Sequence, residues 1–346
     1  MSRIFVGGTG AVSPAGWGTP ALRDAIKTGT PLPAVPLDRP GWKQPLRCHP
    51  VPHPTTRPAF LAHPRLRRTS PITHYAAAAA LEALSTVHVP DGRKPRVGLI
   101  VCLDGGCVQY SCRFFEEVLK DPATASPVLF PETVFAALGS SVAALLPDVP
   151  LLHTLLGDSA NFLHGVAMAS EWLLEKRVDT ALVVGAEEIN WVLADALGQL
   201  DRSAELAAGA GAIALVGSSR AGLPVELTAI TNAHTYSRSH NRAAVAQAVR
   251  RELSTTGEGD FLCDSRGRNQ TLNRAEEAAW TGGTGTRVSP RQILGEGLIA
   301  AAAWQCVLAA DAVLAGGFSR ANVSLAGTNQ QAIGAQFARL PGSVAS

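Results

Sequence analysis

The sequence predicts an α/β fold, and three observations carry that prediction. Apolar runs of strand length, such as Arg96 to Cys102 and Thr180 to Val184, alternate with longer stretches whose apolar residues recur at helical spacing. Of 346 residues, 46% are hydrophobic and 17% charged, which supplies a large core and excludes a disordered chain. Glycine-rich breaks such as Gly105-Gly106 separate the runs. Periodicity alone gives alternating strands and helices, without a topology.

Taken in order, Ile4 to Val6 is a strand and Gly7 to Gly10 reads as a tight turn. A dinucleotide-binding fingerprint would need a helix directly behind those glycines, but Ser13-Pro14 and Gly16 keep the chain irregular. A helix runs from Pro20 to Thr28. From Pro31 to Pro64 the proline-rich chain is expected to be an irregular surface excursion. Its His49, His53 and His63 have no carboxylate at ligand spacing, so they read as exposed loop histidines rather than a metal site. Pro71 opens a helix whose alanines, Ala76 to Ala80, let another backbone approach closely. Arg96 to Cys102 is a strand, followed by a helix through Phe114, Phe115, Val118 and Leu119.

The organising stretch runs from Leu155 to Glu188. Gly157 and Asp158 break the chain, and Asp158 or Ser159 can accept a hydrogen bond from the first free N–H groups of a helix. Phe162, Val166, Ala169 and Leu173 then fall on one helical face, and Glu175 to Arg177 end the helix in water. Thr180 to Val184 reads as a buried strand stopped by Gly185. A serine thus stands at a buried helix N-terminus, a place that favours a nucleophile or an anion. His164, alone on that helix, reads as a structural histidine. Further strands are expected at Gly209 to Val216, Leu227 to Ile230 and Phe261 to Cys263, and a buried helix from Leu298 to Leu314. Ser218 to Gly222 reads as a seam dividing the chain into residues 1–221 and 222–346.

The net charge is +2, and no basic run is long enough for a nucleic-acid groove; Arg65, Arg67 and Arg68 read as an exposed cluster. No apolar segment reaches membrane-spanning length, and the N-terminus lacks a signal-peptide pattern, so a cytoplasmic location away from membranes is expected. The six cysteines form no CxxC pair and read mainly as buried thiols. No metal or cofactor is expected.

Order and spacing of these motifs resemble the β-ketoacyl synthase family. GDSANFLHGVAMASEWLL, then Gly185-Ala186-Glu187, matches the helix and turn around that family's catalytic cysteine, and the cysteine position falls on Ser159. DSRGRNQTLNRAEEAAW, anchored on Gly267, Leu272 and Glu277, resembles the Ala-His-Gly-Thr loop, with Arg266 at the first histidine position. RVSPRQILGEGLIAAAAW, anchored on Gly295 and Gly297, resembles the segment carrying the second histidine, which falls on Gln292, with Arg287 at a nearby lysine position. Gly327-Thr328-Asn329 resembles the terminal glycine-rich turn, and the segment from Ser126 resembles one near the family's dimer interface. The resemblance implies a thiolase-like fold: two similar halves in a layered α-β-α-β-α arrangement.

Decarboxylative condensation needs an acyl-accepting thiolate, donors for the enolate left by carbon dioxide loss, and an oxyanion hole. Serine needs a neighbouring base; guanidinium stays protonated and glutamine has no useful basicity. The resemblance therefore implies a subunit lacking the Cys-His-His triad, of the chain-length-factor type. Its partners would be an active ketosynthase, as a heterodimer, and an acyl carrier protein bearing a phosphopantetheine-linked acyl chain. Polyketide, polyene or fatty acyl synthesis would be the setting. A homodimer of the same fold is an alternative. So is a serine-dependent acyltransferase or thioesterase-like enzyme using Ser159 with His153, His234 or His240, and so is a binding module for an acyl thioester.

Overall fold

Two copies of one strand order make up the protein, whose computed structural model describes residues 3–87, 94–217, 223–236, 241–253, 260–283, 285–327 and 331–340. In the first copy β1 (Ile4–Ser13), β2 (Val97–Leu103), β3 (Leu151–Leu156), β4 (Thr180–Glu187) and β5 (Gly209–Gly217) lie side by side as β1-β5-β4-β2-β3. In the second, β6 (Val225–Ile230), β7 (Asp260–Cys263), β8 (Thr286–Val288), β9 (Arg320–Ala326) and β10 (Gln331–Arg339) lie as β6-β10-β9-β7-β8. In both copies the first two joins are antiparallel and the last two parallel. The copies meet where β1 runs antiparallel to β6, with Phe5 opposite Glu226. The expected seam at 218–222 lies outside the described residues.

Between the strands run α1 (Thr19–Thr28), α2 (Pro71–Ser85), α3 (Val108–Lys120), α4 (Ala136–Ala143) and α5 (Asn161–Leu174). They are followed by α6 (Trp191–Leu200), α7 (Arg242–Glu252), α8 (Gln270–Ala279), α9 (Pro290–Leu294) and α10 (Ile299–Leu314). Side chains alternate across a strand, so each half-sheet presents two apolar faces. Leu99, Val101 and Leu103 pack with the alanines of α2 and with Leu138 of α4. Ile100 and Cys102 point the other way, into the core built on α5 and α10. Helix α10 touches strands of both halves, and α7 and α8 cover the far face of the second. The layers are α-β-α-β-α, the predicted thiolase-like arrangement. Burial on both faces explains why the central strands read as unbroken apolar runs.

Several local expectations differ from what the chain does. Gly7 to Gly10 is part of β1, not a turn. A Cβ on Gly8 would stand 2.1 Å from the Ala83 carbonyl oxygen, and one on Gly10 2.1 Å from that of Ala79. The glycines thus let α2 lie directly on the strand. Strand β4 likewise continues through Gly185 to Glu187, because Phe162 and Ala303 crowd over the glycine. The proline-rich excursion contributes Val35–Leu37 and Leu46–His49 to a small sheet completed by Leu206–Ala207. His49 is buried there rather than exposed, its Nε2 2.9 Å from Glu205 Oε2. Strand β3, at Leu151–Leu156, carries no strand pattern in the sequence.

At the end of β4, two buried glutamates stand side by side. Glu188 accepts hydrogen bonds from the Ser70 hydroxyl and from the N–H groups of Ile72 (3.2 Å) and Gln109 (2.7 Å), so it caps the start of α2. Burial pushes Glu188 up to about 7 and pushes Glu187 well up. A carboxyl raised on folding stabilises the native state below its unfolded pKa and loses that contribution as pH rises through its folded pKa. The stability of Glu188→Gln relative to wild type is therefore expected to rise between about pH 4.5 and pH 7, by an order of 3 kcal/mol at most. Urea melts of both proteins across that window measure it; a constant difference would contradict the assignment.

Candidate functional site

Ser159 sits in the turn between β3 and α5, 1% exposed. Gly157, at φ 151°, turns the chain there. Neither Asp158 nor Ser159 caps α5, whose N-cap is Ala160; Asp158 Oδ1 instead holds the turn before the helix, accepting from the Ala160 N–H at 3.1 Å and from the Gln331 amide at 3.0 Å. The other end of that amide meets His164 Nε2 at 3.1 Å, so His164 is a satisfied structural histidine.

The Ser159 hydroxyl accepts a hydrogen bond from Arg291 Nη2 at 2.8 Å. Arg291 is 3% exposed, and its Nη1 lies 3.1 Å from Glu296 Oε2. Glu296 is held in turn, since its Oε1 accepts from the Leu298 N–H at 2.9 Å, next to the start of α10. A cation, a carboxylate and a helix start thus fix the hydroxyl. Burial together with Asp158 and Glu296 lifts the nearby Asp104 carboxyl to about 6. The Tyr236 hydroxyl donates to the Gly327 carbonyl, and burial pushes Tyr236 up against the opposing pull of Arg242 and Arg291. Arg291 also lines a cavity of about 20 Å³ with Arg242, Ser265, Arg268 and Glu296, room for one water. Beside it, sharing Glu205 and Arg268, a wider cleft of about 520 Å³ opens between Arg47, Ala194 and Arg202.

The other two candidate residues stand elsewhere. Arg266 donates from Nε to Asp264 at 2.9 Å and from Nη1 to Glu277 at 3.3 Å. Gln292 lines the same cleft as Arg266, together with Arg287, and Ser159 is not part of its wall. The residue that reaches Ser159 is Arg291, one position before the expected Gln292. Helix α9 is a single short turn, and neighbours on a helix point about 100° apart. Here Arg291 turns inward to Ser159 and Gln292 lines the cleft. A faint signal was present: an arginine among Ile293 and Leu294, with Glu296 five residues on, is a cation expected to be buried only with a partner.

The described hydrogen bonds bring no imidazole to the serine. His153 lies on the exposed flank of β3, His234 pairs with Glu252, and His240 and the pair Thr328-Asn329 lie outside the described residues. Among the described residues, no cluster of metal-ligating side chains occurs and no helix is long and apolar enough to cross a membrane.

No family model and no curated protein matches the sequence. Solved structures do match over nearly its whole length. The ishigamide ketosynthase/chain length factor superposes with a TM-score of 0.78 at 18% identity, covering 98% of this chain and 100% of that one. A β-ketoacyl synthase from Burkholderia phymatum STM815 gives a TM-score of 0.80 at 14% identity, covering 99% and 100%. The chain has the ketosynthase fold. A third ketosynthase-fold match is the complex AntDE:AntF, described as a type II polyketide synthase acyl carrier protein with its ketosynthase bound to the hexaketide (TM-score 0.76, 14% identity, 98% and 99% covered). Within a ketosynthase fold, then, Ser159 opens a buried helix between two parallel strands of the first half, under an arginine supplied by the second half.

Proposed function

We propose that this chain is a ketosynthase-fold subunit without condensing activity of its own. In this reading it is the chain-length-factor-type partner of an active ketosynthase, working on acyl chains carried by an acyl carrier protein in polyketide, polyene or fatty acyl synthesis. The observation that carries the proposal is the Arg291–Ser159 hydrogen bond. A guanidinium donates and does not take up a proton, so it cannot activate a hydroxyl as a general base. The carboxylate nearest in the network, Glu296, is already tied to Arg291 and to Leu298. Arg266 and Gln292, which the sequence resemblance puts at the family's histidine positions, line a separate cleft. Loss of base and of nucleophile together removes several powers of ten in rate.

The partner half of the reading rests on the flank around β3. It is the outer strand of the first half-sheet, with Leu152 and Leu156 exposed. Leu152 packs against Gly139 of α4. The turn at Phe130–Thr133, in contact with both α4 and α3, carries exposed Phe130; α3 carries exposed Phe115 and Leu119, and exposed Phe135 stands at the start of α4. An unpaired strand edge next to an apolar patch is a surface that a soluble monomer rarely leaves uncovered. A cysteine-bearing chain of the same fold would cover it by extending the sheet. The likeness to the ishigamide ketosynthase/chain length factor, and to a ketosynthase solved with its acyl carrier protein, supports the choice of partner class.

The test is co-expression with a candidate cysteine-bearing ketosynthase, followed by size-exclusion chromatography and product mass. The expected result is a mixed dimer that makes product, while this chain alone condenses nothing. Condensation by this chain alone, abolished by Ser159→Ala, would overturn the proposal. A stable self-dimer that excludes every candidate ketosynthase would overturn its partner half.

A further inference from the structure

We infer that the cleft between the end of α1 and α9 is a binding site for a small phosphate-type oxyanion, held by Arg266 and Arg287. The site is distinct from the Ser159 network and does not depend on the reading above. Behind its wall, bonded to the lining residues Arg266, Arg287 and Ser289, lies Asp264, which is fully buried. Asp264 Oδ1 accepts from the Arg266 N–H at 3.1 Å and from the Ser289 hydroxyl at 2.5 Å. Its Oδ2 accepts from Arg266 Nε at 2.9 Å and from Arg287 Nε. Four donors saturate that carboxylate.

Two guanidinium groups are thereby clamped by their Nε edges to one anion. Both line a cleft of about 250 Å³, walled on the other side by Ile26 and Pro31, with the Gln292 amide beside them. Arg266 spends Nη1 on Glu277, a half-exposed carboxylate outside the cleft wall. Arg287 Nη2 is buried and has no hydrogen-bond partner. The charged side chains that line the cleft are the two arginines, with Asp264 and Glu277 outside its wall, and a buried donor without an acceptor is a costly state that native proteins rarely leave unfilled. A planar guanidinium fork matches the oxygens of a phosphate, and a tetrahedral anion offers enough acceptors to bridge two forks at once. The clamp on Asp264 fixes both forks in advance, so little side-chain freedom is lost on binding.

The test is isothermal titration of the full chain with inorganic phosphate, against sodium chloride at equal ionic strength, repeated with glycerol 3-phosphate. Wild type is expected to bind phosphate saturably where chloride gives no signal. Gln292→Glu places a negative charge at the cleft without touching the Asp264 clamp. It is expected to weaken binding at least tenfold and leave the thermal midpoint unchanged. Arg287→Gln is expected to weaken binding at least as much, but it also loosens Asp264, so Gln292→Glu decides. Binding of inorganic phosphate alone marks a free-anion site, and binding of the ester marks a phosphoester site; either supports the inference. No saturable binding of phosphate or ester, or binding that Gln292→Glu leaves unchanged, overturns it.

Discussion

Arg291→Ala is expected to remove about 3–5 kcal/mol of stability, which urea denaturation will measure as a lower midpoint with an unchanged slope. Arg291 is 3% exposed and pairs with Glu296, so truncation removes the guanidinium that carboxylate is bonded to. The removed side chain adds the cost of the space it vacates. Ser159→Ala is expected to cost less, about 1–2 kcal/mol, because it removes one hydrogen bond and leaves the ion pair standing. The order matters more than the sizes. A serine that served mainly as a nucleophile could be removed with little structural consequence, whereas here the hydroxyl helps seat an arginine that joins the two halves. Arg291→Met combined with Glu296→Gln removes both charges while keeping much of the volume, and it is expected to recover part of the loss. A double variant no more stable than Arg291→Ala would show that packing, not charge pairing, dominates at this junction.

How far the sequence reveals this site depends on how much of each signal is local. Helix α5, strand β4 and helix α10 are legible because complete burial writes long apolar runs into the chain. Even the polar interruptions of α10 have plain causes: the Gln305 amide donates to the Ser324 carbonyl at 3.3 Å, and Asp311 pairs with Arg23. Strand β3 is not legible, since LLHTLL neither alternates nor fills a core; it is an outer strand with half-exposed side chains. The burial of His49 follows from Glu205, 156 residues away, and no local pattern reports it. The choice between Arg291 and Gln292 turns on which way one short helix faces, and apolar spacing over five residues cannot set that phase. Arg266 shows a different limit. The motif puts it in a loop before α8, but the direction of its guanidinium is set by Asp264, two residues earlier, and it lines a cleft that does not include Ser159.

Gly7 to Gly10, turn-like in sequence but part of β1, are the place of the second large expected effect. Gly10→Ala is expected to destabilise the protein by about 3 kcal/mol or more, because the new Cβ would meet the Ala79 carbonyl oxygen at 2.1 Å and the Ala83 nitrogen at 2.9 Å. Both contacts are backbone, so no side chain can swing aside; α2 as a whole must lift from β1. That helix is built on buried alanines at 76, 77, 79, 80 and 83, whose only packing asset is close approach, so a shift of the axis loosens every contact along it. Gly7→Ala meets the Val87 and Val216 side-chain methyls at 3.1 and 3.4 Å and the Ala214 carbonyl oxygen at an ordinary 3.6 Å, and is expected to cost under about 1 kcal/mol. Gly217→Ala meets nothing within 4 Å and is expected to be near neutral. Thermal midpoints of the three variants test the explanation as a set. If these glycines served a turn, as their sequence suggests, Gly7 and Gly10 would respond alike; if they serve the helix lying on the strand, only Gly10 will be severe.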